Sequence, residues 1–228
     1  KNMVSKIELI YRAKTKNMDN SAVHYYMKLQ SYLIYIQRQG RIKDIHFDFE
    51  DYKMFEEKMK EAIESCQFST TKEVLVSILN NNPIYIRDGA NDIYKELLEC
   101  EDKELLEVFK IESLMGPMLS GSNYITEDCF SELVLKLHEG RSNKKIIDLC
   151  SGKGRFLSVV ADSFPKSQLF GTEMMELNVI ESKMLLDMKN TRFSIICADL
   201  LSISCTPDYD LVFSDFPWHM STHHDICE

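Results

Sequence analysis

The sequence predicts an α/β chain, with a doubly wound parallel sheet preceded by a helical N-terminal domain. Three observations carry this expectation. Residues 1 to about 120 hold helical patterns joined by short polar loops. From Lys145 onward, short β-branched runs alternate with helical stretches. The residues best suited to chemistry fall at the carboxyl ends of those runs, where ligands bind on sheets of this kind.

Along the chain, the segment Ser21–Ile36 places Tyr25, Leu29, Tyr32, Leu33 and Ile36 on one helical face. A second helix carries Val74, Leu75, Ile78 and Leu79, with Thr70 or Thr71 as its expected cap. Asn82-Pro83 and Asp88-Gly89 mark the loop that follows. Near Met115-Gly116-Pro117 the pattern changes, which divides the chain into a helical domain over 1–118 and a second domain over 119–228. The helical half reads either as a surface for a partner or DNA, or as a packing domain without chemistry of its own. A helix expected from Thr126 carries Phe130, Leu133, Val134 and Leu137 at the i, i+3, i+4, i+7 spacing. Strands are expected at 145–149, 168–172, 193–197 and 210–214, with helices near 154–164 and 174–189.

Composition sets outer bounds. The chain has 228 residues, room for one large domain or two modest ones. Hydrophobic residues at 44% with 28% charged residues fit a soluble globular protein. There is no apolar run of the length a membrane helix needs, and the first residues lack the apolar core of a secretory signal. Seven cysteines contain no C-x-x-C pair, and several sit in apolar runs, as expected for thiols in a reducing cytoplasm. A net charge of -9 argues against a chain that grips nucleic acid by itself. It leaves room for a catalytic module whose grip comes from another segment or subunit.

The first motif is Asp148-Leu149-Cys150-Ser151-Gly152-Lys153-Gly154, where a strand meets a glycine turn and then a helix. It matches neither the Walker phosphate loop nor G-x-G-x-x-G. Glycine at 152 and 154 would let the backbone approach a ligand closely, and Asp148 would meet a cation such as the ammonium of a methionine moiety. The next strand ends at Glu173, 25 residues after Asp148, where a carboxylate can accept both hydroxyls of a ribose. Asp199 ends the third strand and is suited to an adenine amino group. Three acids at successive strand ends point to a nucleoside-bearing cofactor.

The fourth strand runs into Asp215-Phe216-Pro217-Trp218. An aromatic amine is a poor nucleophile because its lone pair is delocalised into the ring. A carboxylate and a backbone carbonyl that accept both amine hydrogens favour the tetrahedral nitrogen needed for alkylation. Asp215 and the carbonyl of Phe216 suit this task, Pro217 stiffens the turn, and Trp218 offers a face for an extruded base. In the tail, His219 and His223 have ligand spacing on a helix, but a loop beside the site is the favoured reading and no metal is expected.

These motifs resemble the amino-group methyltransferases that use S-adenosylmethionine, whose signature (D/N/S)-P-P-(Y/F/W) is matched by Asp215, Pro217 and Trp218. Within that class the chain most resembles the DNA adenine-N6 methyltransferases found as modification subunits of type I restriction–modification systems. Ser122-Asn123-Tyr124-Ile125-Thr126-Glu127 is similar to the segment that leads into their glycine motif. The resemblance implies that Tyr124 and Thr126 line the methionine end of the cofactor, and that the fold is a Rossmann-like methyltransferase sheet. It covers about residues 120–218 well and the N-terminal half only by helical character. The chain departs from the pattern at Phe216, in place of the first proline of the signature, at Glu127, in place of the proline common in the leading segment, and at Gly121, one residue early.

With ten residues after Trp218, the sheet is expected to be incomplete and the chain truncated. The resemblance implies transfer of a methyl group from S-adenosylmethionine to adenine N6 in DNA, with DNA held through missing segments or a specificity subunit in a hetero-oligomer. RNA adenine, a protein glutamine amide, or a non-catalytic cofactor-binding or assembly role are the alternatives left open.

Overall fold

The computed structural model describes residues 5–81, 88–115, 128–139, 145–204 and 208–215. Six helices come first: α1 (Lys6–Lys14), α2 (Asn20–Arg38), α3 (Tyr52–Ser65), α4 (Ser69–Asn80), α5 (Ala90–Leu98) and α6 (Asp102–Glu107), followed by a 3-10 segment at Val108–Met115. Ser5, Asp19 and Asp51 start α1, α2 and α3 by accepting a backbone N–H of the first turn. The centre of this half is α2, in which every residue from Tyr26 to Ile36 is buried. The expected single face is therefore too narrow: α2 is enclosed all round, and Tyr25 lies at its edge.

The cap expected at Thr70 or Thr71 is corrected by the structure. Helix α4 begins at Ser69, and Phe68 takes the cap position without a side-chain bond. Thr71 lies within the first turn and is fully buried; its hydroxyl donates instead to Asp187, at 2.9 Å.

The sheet half consists of α7 (Asp128–Leu137), β1 (Lys145–Asp148), α8 (Arg155–Ser163), β2 (Gln168–Glu173), α9 (Glu176–Met188), β3 (Arg192–Cys197) and β4 (Leu211–Phe213). All four strands are parallel, in the order β3-β2-β1-β4. Strand order reverses between β1 and β4, and it is outside such a reversal that a parallel sheet opens a ligand crevice. Side chains alternate cleanly along the strands. Ile146, Leu169, Ile195, Leu211 and Phe213 face a core built with α8 and α9. Ile147, Phe170, Ile196 and Val212 take the other face, which holds a cavity of about 380 Å³ beside Phe170, Thr172 and Tyr209.

Helix α9 is buried nearly all round. Ile180, Met184, Leu185 and Met188 join the core of the helical half, while Val179 and Leu186 join that of the sheet. The apolar stripe read on α7 is only partly covered, with Val134 against the sheet core. Ser131 and Leu135 are buried, whereas Phe130, Leu133 and Leu137 are 49%, 55% and 68% exposed. Helix α7 rests on α8 through its smaller side. Among the described residues, no helix is long and apolar enough to cross a membrane.

Candidate functional site

Strand register fixes where the acids lie. Asp148 closes β1, opposite Gly171 of β2 and Phe213 of β4. Glu173 stands two residues beyond Gly171, and Asp215 two beyond Phe213. Glu173 in turn pairs with Cys197, two residues before Asp199. All four carboxylates therefore share the carboxyl edge of one sheet, with Asp148 and Asp215 flanking the reversal point.

The turn after β1 is clamped onto β2. Ser151 donates to the Thr172 carbonyl through both its backbone N–H, at 2.9 Å, and its hydroxyl, at 3.2 Å. The Thr172 hydroxyl donates back to the Leu149 carbonyl. Gly171 makes this closeness feasible, since a Cβ there would lie 2.8 Å from Ile195 Cδ1 and 2.9 Å from Ser151 Oγ. Gly152 and Gly154 both take left-handed backbone, at φ +51° and +79°. At Gly154 the close neighbour is Ser182 of α9 rather than open ligand space. That glycine therefore has a packing role in addition to the close ligand approach expected of it.

Asp148 is buried, and Oδ1 accepts the Cys150 N–H at 3.1 Å. Burial pushes its carboxyl up to about 7; the Cys150 bond pulls it back, while the negative charges of Asp215 and Glu173 push the same way as burial. The three acids thus lie close enough for their charges to act on one another. The Cys150 thiol beside them is also raised, mainly by burial. Glu173 is half-buried and accepts the Met175 N–H at 2.7 Å through Oε1, with Oε2 turned toward Gly152. Asp199 is exposed and accepts the Leu201 N–H at 2.9 Å, so one of its oxygens caps the short 3-10 turn Leu200–Ser202.

Further residues lie along the edge, the methionines among them noted in the sequence only as a Met-rich helix after Glu173. Met174 and Met175 follow Glu173 at 60% and 44% exposure, and Leu201 follows Asp199 at 94%. Apolar side chains left in water beside carboxylates suit a ring with polar edges and apolar faces. A Met-Met pair directly after a strand-end acid was the available signal. Tyr124, Thr126, Phe216, Pro217 and Trp218 lie outside the described residues, as do His219 and His223.

No protein-family model matches the chain, and no curated protein matches it. Among solved structures it is similar to a modification subunit attributed to a type I restriction enzyme from Vibrio vulnificus YJ016. That match has 10% identity and a TM-score of 0.63, covering 94% of this chain and 61% of the other. It is also similar to the type I restriction-modification system methyltransferase subunit from Streptococcus thermophilus, at 12% identity and a TM-score of 0.57, covering 92% and 61%. The chain thus spans about three-fifths of the length of either structure. At these identities the likeness shows the fold alone, a Rossmann-like parallel sheet joined to a helical half.

Proposed function

We propose that the carboxyl edge of this sheet binds S-adenosylmethionine and that the chain is the cofactor-binding part of an adenine-N6 DNA methyltransferase. The observation that carries the cofactor reading is Asp148. It is a buried carboxylate in the company of two further acids, with no ion-pair partner among the described residues. A ligand ammonium would supply the missing positive charge. Glu173, with one oxygen committed to a backbone bond and the other facing the glycine turn, is suited to ribose hydroxyls. Met174 and Leu201 would hold the faces of a purine, with Asp199 at its edge. The donor set therefore fits the cofactor.

Bound there, S-adenosylmethionine supplies an electrophilic methyl group. The chain's own contribution is to hold the acceptor amine. Asp215, across the reversal point from Asp148, would accept an amine hydrogen and favour the tetrahedral nitrogen. By sequence, the Phe216 carbonyl and the Trp218 ring extend this site; the domain division near residue 118 and a role for Tyr124 and Thr126 belong to the same reading. DNA as substrate is supported by the fold neighbours, both named as subunits of type I restriction systems. With a net charge of -9, DNA would be held chiefly by other segments or a partner subunit.

The test is methyl transfer from labelled cofactor to separate DNA, RNA and protein pools, using the longest natural form of the protein. Label should enter DNA, and Asp215→Ala should abolish it while cofactor binding persists. Label in RNA or protein alone would replace the DNA assignment. Absence of cofactor binding would remove the reading altogether.

A further inference from the structure

We propose that the helical half positions the glycine turn of the cofactor site, through a chain of charges running from the buried Lys28 and Glu181 to the half-buried Lys153. This deepens the cofactor reading of that turn and rests on it. Lys28 sits in the middle of α2 with its side chain 1% exposed, and its Nζ lies 2.6 Å from Glu181 Oε2. Glu181 belongs to α9, and its side chain is 8% exposed. The same oxygen lies 3.6 Å from the Nζ of Lys153, the residue between Gly152 and Gly154. One carboxylate oxygen thus joins a lysine of the helical half to a lysine of the turn.

The neighbours of this chain act on the same few residues. Ser182, next to Glu181, is the side chain against which Gly154 packs. Arg155, the first residue of α8, is buried and donates to the Phe109 carbonyl of the 3-10 segment, at 3.4 Å. The turn is therefore held from outside the sheet at three consecutive residues, 153, 154 and 155. A pair of buried charges is a poor source of net stability, because desolvation offsets most of the attraction. Its geometry, however, is strict, since the short contact between two buried charges is lost if either moves. Such a pair is suited to fixing position, and the position fixed here is that of the turn. Lys28 and Glu181 are positioning residues in this sense, and neither needs to touch the cofactor.

The roles of support and positioning separate in the double variant Lys28→Met/Glu181→Leu. Apolar residues of similar volume replace both charges, so the fold should keep its urea midpoint while Lys153 loses its contact with Glu181. Amide hydrogen exchange without ligand should then be about tenfold faster at residues 152–155 and unchanged in the interior of α2. Lys153→Met should produce the same loosening, and adding it to the double variant should produce no more. S-adenosylhomocysteine should bind the double variant about tenfold more weakly, by calorimetry, at unchanged stability. Exchange at 152–155 equal to that of the original chain overturns the positioning role, whatever the ligand data. Failure of the original chain to bind S-adenosylhomocysteine counts against the cofactor reading, and the exchange measurement still decides this one.

Discussion

Gly154 packs so closely against Ser182 that a Cβ at position 154 would lie 2.4 Å from the Ser182 hydroxyl oxygen. Backbone at φ +79° adds the cost that side chains meet in the left-handed region. Gly154→Ala should therefore destabilise the fold by about 2–4 kcal/mol, combining backbone strain with overpacking. In a Ser182→Gly background the overpacking part should shrink, because the hydroxyl and its carbon are gone. Urea denaturation of the two single variants and the double variant measures this coupling. An unchanged cost in the Ser182→Gly background would assign the whole effect to the backbone.

Asp148 sets a pH dependence of defined sign. Its folded carboxyl titrates at about 7, against an ordinary value of 3.8, chiefly because it is buried. Between those values the folded chain holds a proton that the unfolded chain has released. Stability should therefore fall as pH rises from about 4 to about 7 and level off above that. Asp148→Asn keeps the acceptor for the Cys150 N–H and removes the charge. It should stabilise the chain at pH 8 by something on the order of 4 kcal/mol, with the difference vanishing below about pH 4. Urea midpoints across that range check it. An Asn variant less stable at pH 8 would reveal a cation already beside Asp148.

Binding should follow the same titration. A ligand ammonium requires Asp148 to be ionised, so affinity for S-adenosylhomocysteine should rise with pH through about 7, with proton release near neutrality. Calorimetry in buffers of differing ionisation enthalpy measures the release. A flat profile would move the ammonium away from Asp148.

The strands were legible because β-branched runs broken by acids and glycines carry their own boundaries. The observed Gln168–Glu173 and Arg192–Cys197 differ from the expected spans by one residue at an end. Helix α7 was only partly legible, for a physical reason. Spacing identifies an apolar stripe but does not say which side docks, and α8 receives the side that carries Ser131. The carboxyl edge was legible as a set of acids. Their convergence required the strand register, and the role of Gly154 required Ser182, 28 residues further on. The buried charges were least legible. Lys28 and Glu181 lie 153 residues apart, and either alone reads as a solvated surface residue.

Asp187 of α9 is a second junction between the halves. Its carboxylate accepts the Tyr32 hydroxyl at 2.8 Å and the Thr71 hydroxyl at 2.9 Å, and pairs with Arg41 at 3.2 Å. Burial, then the charge and hydrogen bond of Asp187, hold the Tyr32 phenol well above its ordinary range, so it stays a donor throughout the accessible pH range. Asp187→Ala removes the carboxylate paired with a buried guanidinium, although Arg41 keeps the Thr71 hydroxyl, the Asn190 side chain and the residue 187 carbonyl as acceptors, and should cost about 3 kcal/mol. Tyr32→Phe removes one bond and leaves Asp187 its other partners, so its cost should be about 1–2 kcal/mol. Equal costs in urea denaturation would mean that the remaining acceptors of Arg41 suffice without the carboxylate.

Met184 tests whether the two halves unfold as one. It is fully buried in α9, within the helical-half core, while Leu186 of the same helix is buried in the sheet core. Met184→Ala should cost about 2–5 kcal/mol through lost burial and the cavity left behind. Because α9 is common to both cores, the loss should reach both. Native-state hydrogen exchange at low urea should show α2 and α8 losing protection by the same free energy. If α2 alone is weakened, the sheet half stands without the helical half, and α9 can keep its place through Val179 and Leu186 alone.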